Sequence, residues 1–87
     1  MPRVFVPPFL KSLANGCQQF DVEGRSIRSV IDSLEVQLPG ARERLVQGDV
    51  LRAGLSVAID GRVATLGLYQ KVEPNSEIHF IPAIGGG

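Results

Sequence analysis

The hydrophobic pattern of this chain indicates one helix set between strand-like runs. After Ser26, apolar residues recur at intervals of three and four, which places them along one face of a helix. These apolar positions are Ile27, Val30, Ile31, Leu34 and Leu38. Ser26 is suited to begin the helix, because its hydroxyl can accept a hydrogen bond from a free N–H of the first turn. Pro39-Gly40 predicts its end, since proline disfavours the helical conformation of the preceding residue, and a short helical turn over residues 41–45 follows.

Two strands are predicted before the helix. Residues 3–6 are rich in β-favouring side chains and are followed by Pro7-Pro8, which cannot donate to a sheet ladder. Residues 18–23 alternate polar and apolar, as a half-buried strand does. Asn15-Gly16 marks a turn in the connection, because both residue types tolerate positive φ. The two runs therefore predict a hairpin with a long loop.

Three more strands are predicted after the helix. Residues 51–59 alternate most regularly of all, with a leucine, valine, isoleucine or alanine at every odd position. Asp60-Gly61 predicts a tight type I′ turn into a short strand at residues 62–64. The last strand is predicted at residues 77–81, and Pro82 should end its pairing because proline has no N–H.

The order strand, strand, helix, strand, short strand, strand favours an α+β fold of the β-grasp (ubiquitin-like) arrangement, a mixed sheet with one main helix packed across it. The chain of 87 residues has room for one small domain. We therefore predict a β-grasp domain at residues 1–82 and a flexible C-terminal glycine tail at residues 83–87. The predicted core combines the apolar helix face with strand residues Val4, Val6, Phe20, Val57, Ile59 and Ile78.

Composition narrows the function classes. Hydrophobic residues make up 44% and charged residues 21%, typical of a globular domain, and no apolar run approaches the ~20 residues that span a bilayer. Nine basic and nine acidic residues balance, so no net field attracts nucleic acid. A cytoplasmic location is expected. Cys17 lacks a CxxC neighbour and the lone His79 should face away from Ile78 and Phe80 on a strand surface, so neither a metal site nor a catalytic centre is predicted.

The C-terminal segment is the part of the sequence that most clearly suggests a chemical role. Gly85–87 lack side chains and lose much conformational freedom on ordering, so they should form an unpacked leash. The segment from Pro82 to Gly87, fully extended, reaches roughly 20 Å, far enough to place a carboxylate in another protein's active site. A frayed terminus is the alternative.

Three stretches carry a resemblance to a known family. They are residues 30–35 with Pro39-Gly40 and residues 43–45, then residues 57–62, and finally residues 77–87. They resemble the ubiquitin-like sulfur carriers of the molybdopterin-synthase small-subunit and thiamine-biosynthesis type (MoaD/ThiS-like), and most of all the branch serving cysteine biosynthesis. Such carriers usually end in two glycines, and Gly86-Gly87 match them.

The resemblance implies a carrier protein rather than an enzyme. An E1-like adenylating enzyme would use ATP to activate the Gly87 carboxylate, and a sulfur donor would convert it to a thiocarboxylate, with Gly85 and Gly86 as the threading tail. A downstream sulfur-accepting synthase would take the sulfur. No cofactor is expected to be bound, and the free carrier should be a monomer. Cysteine, molybdopterin, thiamine and tRNA thiolation pathways all share this ending.

Two other functions fit the same sequence. A ubiquitin-like modifier would join the activated tail to a lysine, and a β-grasp interaction module would not react at all. For docking beside the tail, the exposed apolar candidates are Phe80, Ile81, Ile84 and Leu68, the last in a loop predicted over residues 65–76. The helix-surface carboxylates Asp32 and Glu35 are interpreted as solvating groups. The arginines at 42, 44 and 52 are interpreted as surface charge, with docking to an acidic patch of the activating enzyme as the alternative.

Overall fold

The computed structural model describes residues 1–82, and the predicted tail at residues 83–87 lies outside the described residues. The chain folds into seven strands, three α-helices and two single-turn 3₁₀ helices within this range. The strands are β1 Arg3–Phe5, β2 Gln19–Asp21, β3 Val46–Gln47, β4 Val50–Leu51, β5 Leu55–Ile59, β6 Arg62–Val63 and β7 Glu77–Pro82. The helices are α1 Lys11–Ala14, α2 Ile27–Gln37 and α3 Ala41–Leu45, and the 3₁₀ turns are Pro8–Leu10 and Gly67–Tyr69.

Five strands form one mixed sheet in the order β2-β1-β7-β5-β6. β7, the last strand along the chain, lies at the centre, parallel to β1 and antiparallel to β5. The register pairs Phe5 with His79 at the end of the β1–β7 ladder and Leu55 with Pro82 at the end of the β5–β7 ladder. Pro82, the last described residue, therefore ends the central strand of the sheet.

α2 packs its apolar face onto this sheet, as predicted. Ser26 caps the helix by accepting from the Ser29 N–H at 3.2 Å, and the Ser29 hydroxyl returns the bond by accepting from the Ser26 N–H at 3.1 Å. This reciprocal pair is a capping box, with serine in the place where glutamate is usual. The five predicted apolar helix positions, Ile27, Val30, Ile31, Leu34 and Leu38, are all buried. The α+β β-grasp prediction is confirmed.

The long predicted strand at residues 51–59 is wrong in its extent. The segment is interrupted by a turn, in which Gly54 has φ 81° and the Leu55 N–H donates to the Arg52 carbonyl at 3.0 Å. β4, before this turn, pairs with β3 in a separate two-stranded hairpin. The alternation continued through the break because Leu51 and Leu55, on either side, both pack against the core.

The predicted hairpin at Asp60-Gly61 is confirmed. Their φ values of 52° and 84° are both positive, as a type I′ turn requires, and Ile59 pairs with Arg62 across it. The turn also ties into the central strand, because the Asp60 carboxylate accepts from the Glu77 N–H at 2.9 Å. The edge hairpin and the start of β7 are thus fixed relative to each other.

Candidate functional site

The end of β7 marks the place from which the predicted tail departs. Ile81 and Pro82 are its last residues, opposite Ser56 and Leu55 of β5, and both are exposed. The preceding residues of β7 alternate between core and solvent, with Ile78 and Phe80 buried and His79 exposed. The base of the tail is therefore held by a strand whose inner side chains belong to the core.

The predicted docking residues separate into three groups. The side chains of Phe80 and Leu68 are only 3% and 5% exposed, so their place in a docking surface was predicted wrongly. Phe80 faces the core because of its position in β7, and Leu68 because the 3₁₀ turn at Gly67–Tyr69 folds it inward. Ile81 is 41% exposed and remains a docking prediction. Ile84 lies outside the described residues, as do Gly85, Gly86 and Gly87.

An aromatic pair lies on the outer face of the sheet near Ile81. The His79 and Phe5 rings stack with centroids 4.5 Å apart and planes inclined by 2°. Because side chains alternate along a strand, His79 and Ile81 share the sheet face turned away from α2. We call Phe5, His79 and Ile81 the sheet-face patch. Phe5 is not among the predicted docking residues, because its neighbour across the parallel ladder cannot be inferred from local alternation.

An open groove of about 310 Å³ lies beside Pro82. Pro8, Phe9 and Leu55 give it apolar walls, and Arg44 and Arg52 also line it. We call it the tail-base groove. It forms here because the 3₁₀ turn after β1 and the turn before β5 both meet the end of β7.

The two groove arginines are held by neutral oxygens. Arg44 Nη1 donates to the Phe9 carbonyl at 3.3 Å and to the Ser12 hydroxyl at 3.4 Å. Arg52 Nε donates to the Glu43 carbonyl at 2.8 Å. Arg42, the third arginine considered for docking, does not line the groove. Its guanidinium forms an ion pair with the Asp32 carboxylate at 3.5 Å.

Glu35 positions the helix that carries Arg44. Its carboxylate accepts from the Gly40 N–H at 3.0 Å and from the Arg42 N–H at 2.8 Å, which caps the N-terminus of α3. The hydrogen bonds from Gly40 and then Arg42 lower the pKa of Glu35, and the nearby positive charge of Arg42 adds to the effect. The interpretation of Glu35 as a merely solvating group was wrong. A side chain reaching from one helix to cap the next has no signature in helix periodicity.

Histidine, cysteine and acidic side chains and the lengths of the helices can be compared directly with what metal sites and membrane spans require. Residues 1–82 hold no group of three or more histidine, cysteine, aspartate or glutamate side chains suited to a metal ion. None of their helices is long and apolar enough to span a bilayer. Cys17 is exposed and unbridged, with its sulfur 3.8 Å from the Gln19 carbonyl.

The sequence matches one family of known proteins. The model of the ThiS family matches residues 10–87, which include α2, the groove arginines and the terminal glycines. A search of curated proteins finds no match.

Solved structures share the fold over the whole chain. The Amycolatopsis orientalis BexX/CysO complex contains a chain with a TM-score of 0.91 and 24% identity, with 100% of both chains covered. Mycobacterium tuberculosis CysO, described as an antigen, gives a TM-score of 0.87 at 20% identity, covering 97% of this chain and 100% of that one. Small archaeal modifier protein 1 from Methanosarcina acetivorans gives 0.79 at 22% identity, covering 99% and 95%.

Proposed function

We propose that this chain, which belongs to the ThiS family, is a sulfur carrier whose Gly87 carboxylate is activated by a partner enzyme and converted to a thiocarboxylate. The observation that carries the proposal is the family match, which runs through the terminal glycines. The position of β7 supports it, because residue 83 follows directly from the exposed end of the central strand. A carrier needs a rigid body for recognition and a reactive end that a partner enzyme can reach.

The chemistry requires activation because a carboxylate resists nucleophilic attack. A carboxylate oxygen of Gly87 would attack the α-phosphorus of ATP in the active site of an E1-like enzyme, releasing pyrophosphate and forming an acyl-adenylate. Sulfide would then attack the carbonyl carbon, and AMP would leave; a persulfide donor would instead give an acyl disulfide, which a thiol must cleave to release the thiocarboxylate and form a disulfide. The C–O bond to AMP is replaced by a C–S bond, without net oxidation when the donor is sulfide. ATP is consumed by the partner, so the carrier itself acts as a substrate.

Glycine suits the last three positions for a steric reason. A bare backbone enters a narrow channel, and the carbonyl of Gly87 is the least hindered that a protein can offer. Gly85 and Gly86 would thread the channel, while the folded body stops at its entrance. Positioning and charge stabilisation come from the activating enzyme. A downstream sulfur-accepting synthase then receives the sulfur, in a pathway of the cysteine or molybdopterin type.

The proposal is tested by intact-mass measurement. The full chain is incubated with its E1-like enzyme, ATP and sulfide, and the expected product is heavier by the difference between one sulfur and one oxygen. The matched control lacks Gly86 and Gly87, so its body is unchanged. Loading of the full chain but not of the control supports the proposal. Absence of the mass gain with an enzyme that is active on its own carrier refutes it.

A modifier function is the second candidate, favoured by the fold shared with small archaeal modifier protein 1. The same activated Gly87 would then be attacked by a lysine amine, giving an isopeptide bond and releasing AMP or an enzyme thiol. Immunoblots of cell extracts distinguish the two functions. A ladder of adducts that disappears when Gly87 is deleted indicates a modifier, and a single thiocarboxylate species indicates a carrier. A non-reacting interaction module would keep its function after the deletion of Gly86 and Gly87.

A further inference from the structure

Two arginines beside the tail base have no acidic partner among the described residues. Four ion pairs occur in residues 1–82: Arg3–Asp21, Arg28–Asp49, Arg42–Asp32 and Lys71–Glu73. Within this range Arg44 and Arg52 are absent from the ion pairs, and their side chains donate hydrogen bonds to neutral oxygens. Carbonyls and hydroxyls orient a guanidinium without neutralising its charge. On a protein with nine basic and nine acidic residues, these two therefore make a local positive site.

Apolar surface adjoins this positive site. Pro8, Phe9 and Leu55 line the same groove as the two arginines, and Pro82 forms part of its edge. A ligand that fills the groove would contact both guanidinium groups and apolar carbon. Guanidinium groups bind carboxylates through two parallel hydrogen bonds, which an ammonium cannot provide. The lining thus fits a segment that carries carboxylates next to an apolar side chain.

The arginines are also partly pre-oriented. Arg44 belongs to α3, whose first turn is fixed by the Glu35 carboxylate, and its Nη1 bonds to Phe9 and Ser12 restrict the guanidinium further. Arg52 is held at Nε by the Glu43 carbonyl and at its backbone N–H by the Leu45 carbonyl at 3.0 Å. Side chains already restricted lose less conformational entropy when a ligand binds. The groove therefore has the character of a binding surface.

We propose that the tail-base groove docks an acidic segment with an apolar side chain, borne by the enzyme that activates the tail. The identity of that enzyme rests on the proposed function, whereas the acidic chemistry of the segment rests on the groove alone. Pro82 lines the same groove as Arg44 and Arg52, so a protein that binds the residues following Pro82 would come close to both arginines. Two guanidinium groups match a segment with several carboxylates better than the single terminal carboxylate of the chain's own tail.

The first experiment uses a synthetic probe. The full chain, labelled with ¹⁵N, is titrated with the peptide acetyl-Asp-Leu-Glu-Phe-Asp-amide and followed by NMR, with Arg Nε signals included. The expected result is a saturable shift of signals from Phe9, Arg44, Arg52 and Leu55 that weakens as salt rises, because exposed charges are screened. The control peptide has asparagine and glutamine in place of the acidic residues and should shift these signals far less.

Arginine variants test the assignment. Arg44→Gln and Arg52→Gln should each weaken peptide binding about threefold, which is the usual contribution of one exposed ion pair. The double variant should weaken it about tenfold, because the two contributions add in free energy. Arg62→Gln is the matched control, since it removes one exposed positive charge at the opposite end of β5. Arg44→Lys and Arg52→Lys keep the charge and should recover part of the affinity. Thermal unfolding of each variant confirms that the fold is retained.

Three results would overturn the inference. One is a peptide that leaves the groove signals unchanged, and another is an Arg62→Gln variant that weakens binding as much as the groove variants do. The third result concerns a truncated chain that ends at Pro82. If its groove signals differ from those of the full chain before peptide is added, and if it binds the peptide more tightly, the tail itself occupies the groove.

An activation assay separates this inference from the proposed function. Where the unmodified chain is loaded with sulfur, the double variant Arg44→Gln/Arg52→Gln should raise KM about tenfold with kcat unchanged. Loading of the double variant with an unchanged KM contradicts the groove assignment and leaves the carrier function standing. If the unmodified chain itself is not loaded by a competent enzyme, the carrier function fails, and the peptide titration still decides the acidic chemistry of the groove.

Discussion

Adjacent residues of β7 are expected to respond in opposite ways to truncation. Phe80 is 3% exposed and lies opposite Val57 in the core, so Phe80→Ala removes a buried ring and should destabilise the fold by about 3–5 kcal/mol. Ile81 is 41% exposed on the other face of the sheet. Ile81→Ala removes a side chain that is only partly buried and replaces a β-favouring residue, so we expect the free energy of unfolding to fall by about 1 kcal/mol.

The size of the contrast matters because a domain of this length is marginally stable. At about 0.05–0.15 kcal/mol per residue, its free energy of unfolding is on the order of 4–13 kcal/mol. Phe80→Ala would remove much of this free energy of unfolding, whereas Ile81→Ala leaves most molecules folded. If Ile81 belongs to a docking surface, its substitution should then raise the KM for sulfur loading while the free energy of unfolding falls by only about 1 kcal/mol.

Urea unfolding followed by circular dichroism gives the free energy of unfolding, and loading kinetics give KM for each variant. Ser56→Ala is a suitable control, because Ser56 is an exposed residue directly opposite Ile81 in the ladder. The reasoning would be refuted if Phe80→Ala lost less than about 1 kcal/mol, or if Ile81→Ala were as destabilising as Phe80→Ala. An unchanged KM for Ile81→Ala would remove Ile81 from the docking surface.

The remaining predictions concern stability. Because the pKa of Glu35 is lowered in the fold, its contribution is present above the ordinary glutamate range and is lost as pH falls below about 5 through the folded-state pKa. Glu35→Gln should therefore lower the melting temperature at pH 7 and flatten its decline between pH 5 and 3; an unaltered pH profile would contradict the capping role. At Gly24 a Cβ would lie 2.8 Å from both Val30 Cγ2 and the Val30 N–H nitrogen. Gly24→Ala should thus lower the free energy of unfolding, measured in urea, by more than about 2 kcal/mol. Gly61→Ala, where a Cβ meets no atom and only the positive φ is unfavourable, should lower it by about 1 kcal/mol, and equal losses would argue against the clash at Gly24.

Local sequence patterns were sufficient for most of the fold. The three-and-four spacing of α2 and its cap at Ser26 are properties of one continuous segment, as is the turn at Asp60-Gly61. The helical segment at residues 8–14 was not predicted, because a 3₁₀ turn and four α-helical residues are too short to show a period. Leu10 is nevertheless fully buried, so tertiary packing stabilises what local periodicity does not reveal.

For the candidate site, the sequence predicts a chemistry and only part of the surface around it. The terminal glycines by themselves predict only an unpacked leash; its reactivity is what the family resemblance implies, and the family match covers these residues. The surface around the leash depends on contacts between distant segments: Phe5 stacks on His79 across a parallel ladder, and Arg44 meets the segment after β1 through the Phe9 carbonyl. No spacing rule relates residues that lie more than 30 positions apart. The sequence therefore predicts a reacting end, which stays a prediction, and it leaves much of the neighbouring surface unpredicted.

The central position of β7 has a mechanical consequence. A partner that pulls on the tail applies force along β7, so the ladder to β5 is loaded in shear, with five register pairs from Leu55–Pro82 to Ile59–Ile78 sharing the load. The end of the ladder at residues 80–82 is held by β5 alone, whereas residues 77–79 are also held by β1. Under tension the exposed Ile81 and Pro82 should detach first and lengthen the accessible segment by roughly 7 Å at ~3.3 Å per residue. Further extension must pull Phe80 out of the core and then break both ladders, so only a short section at the end of β7 yields easily.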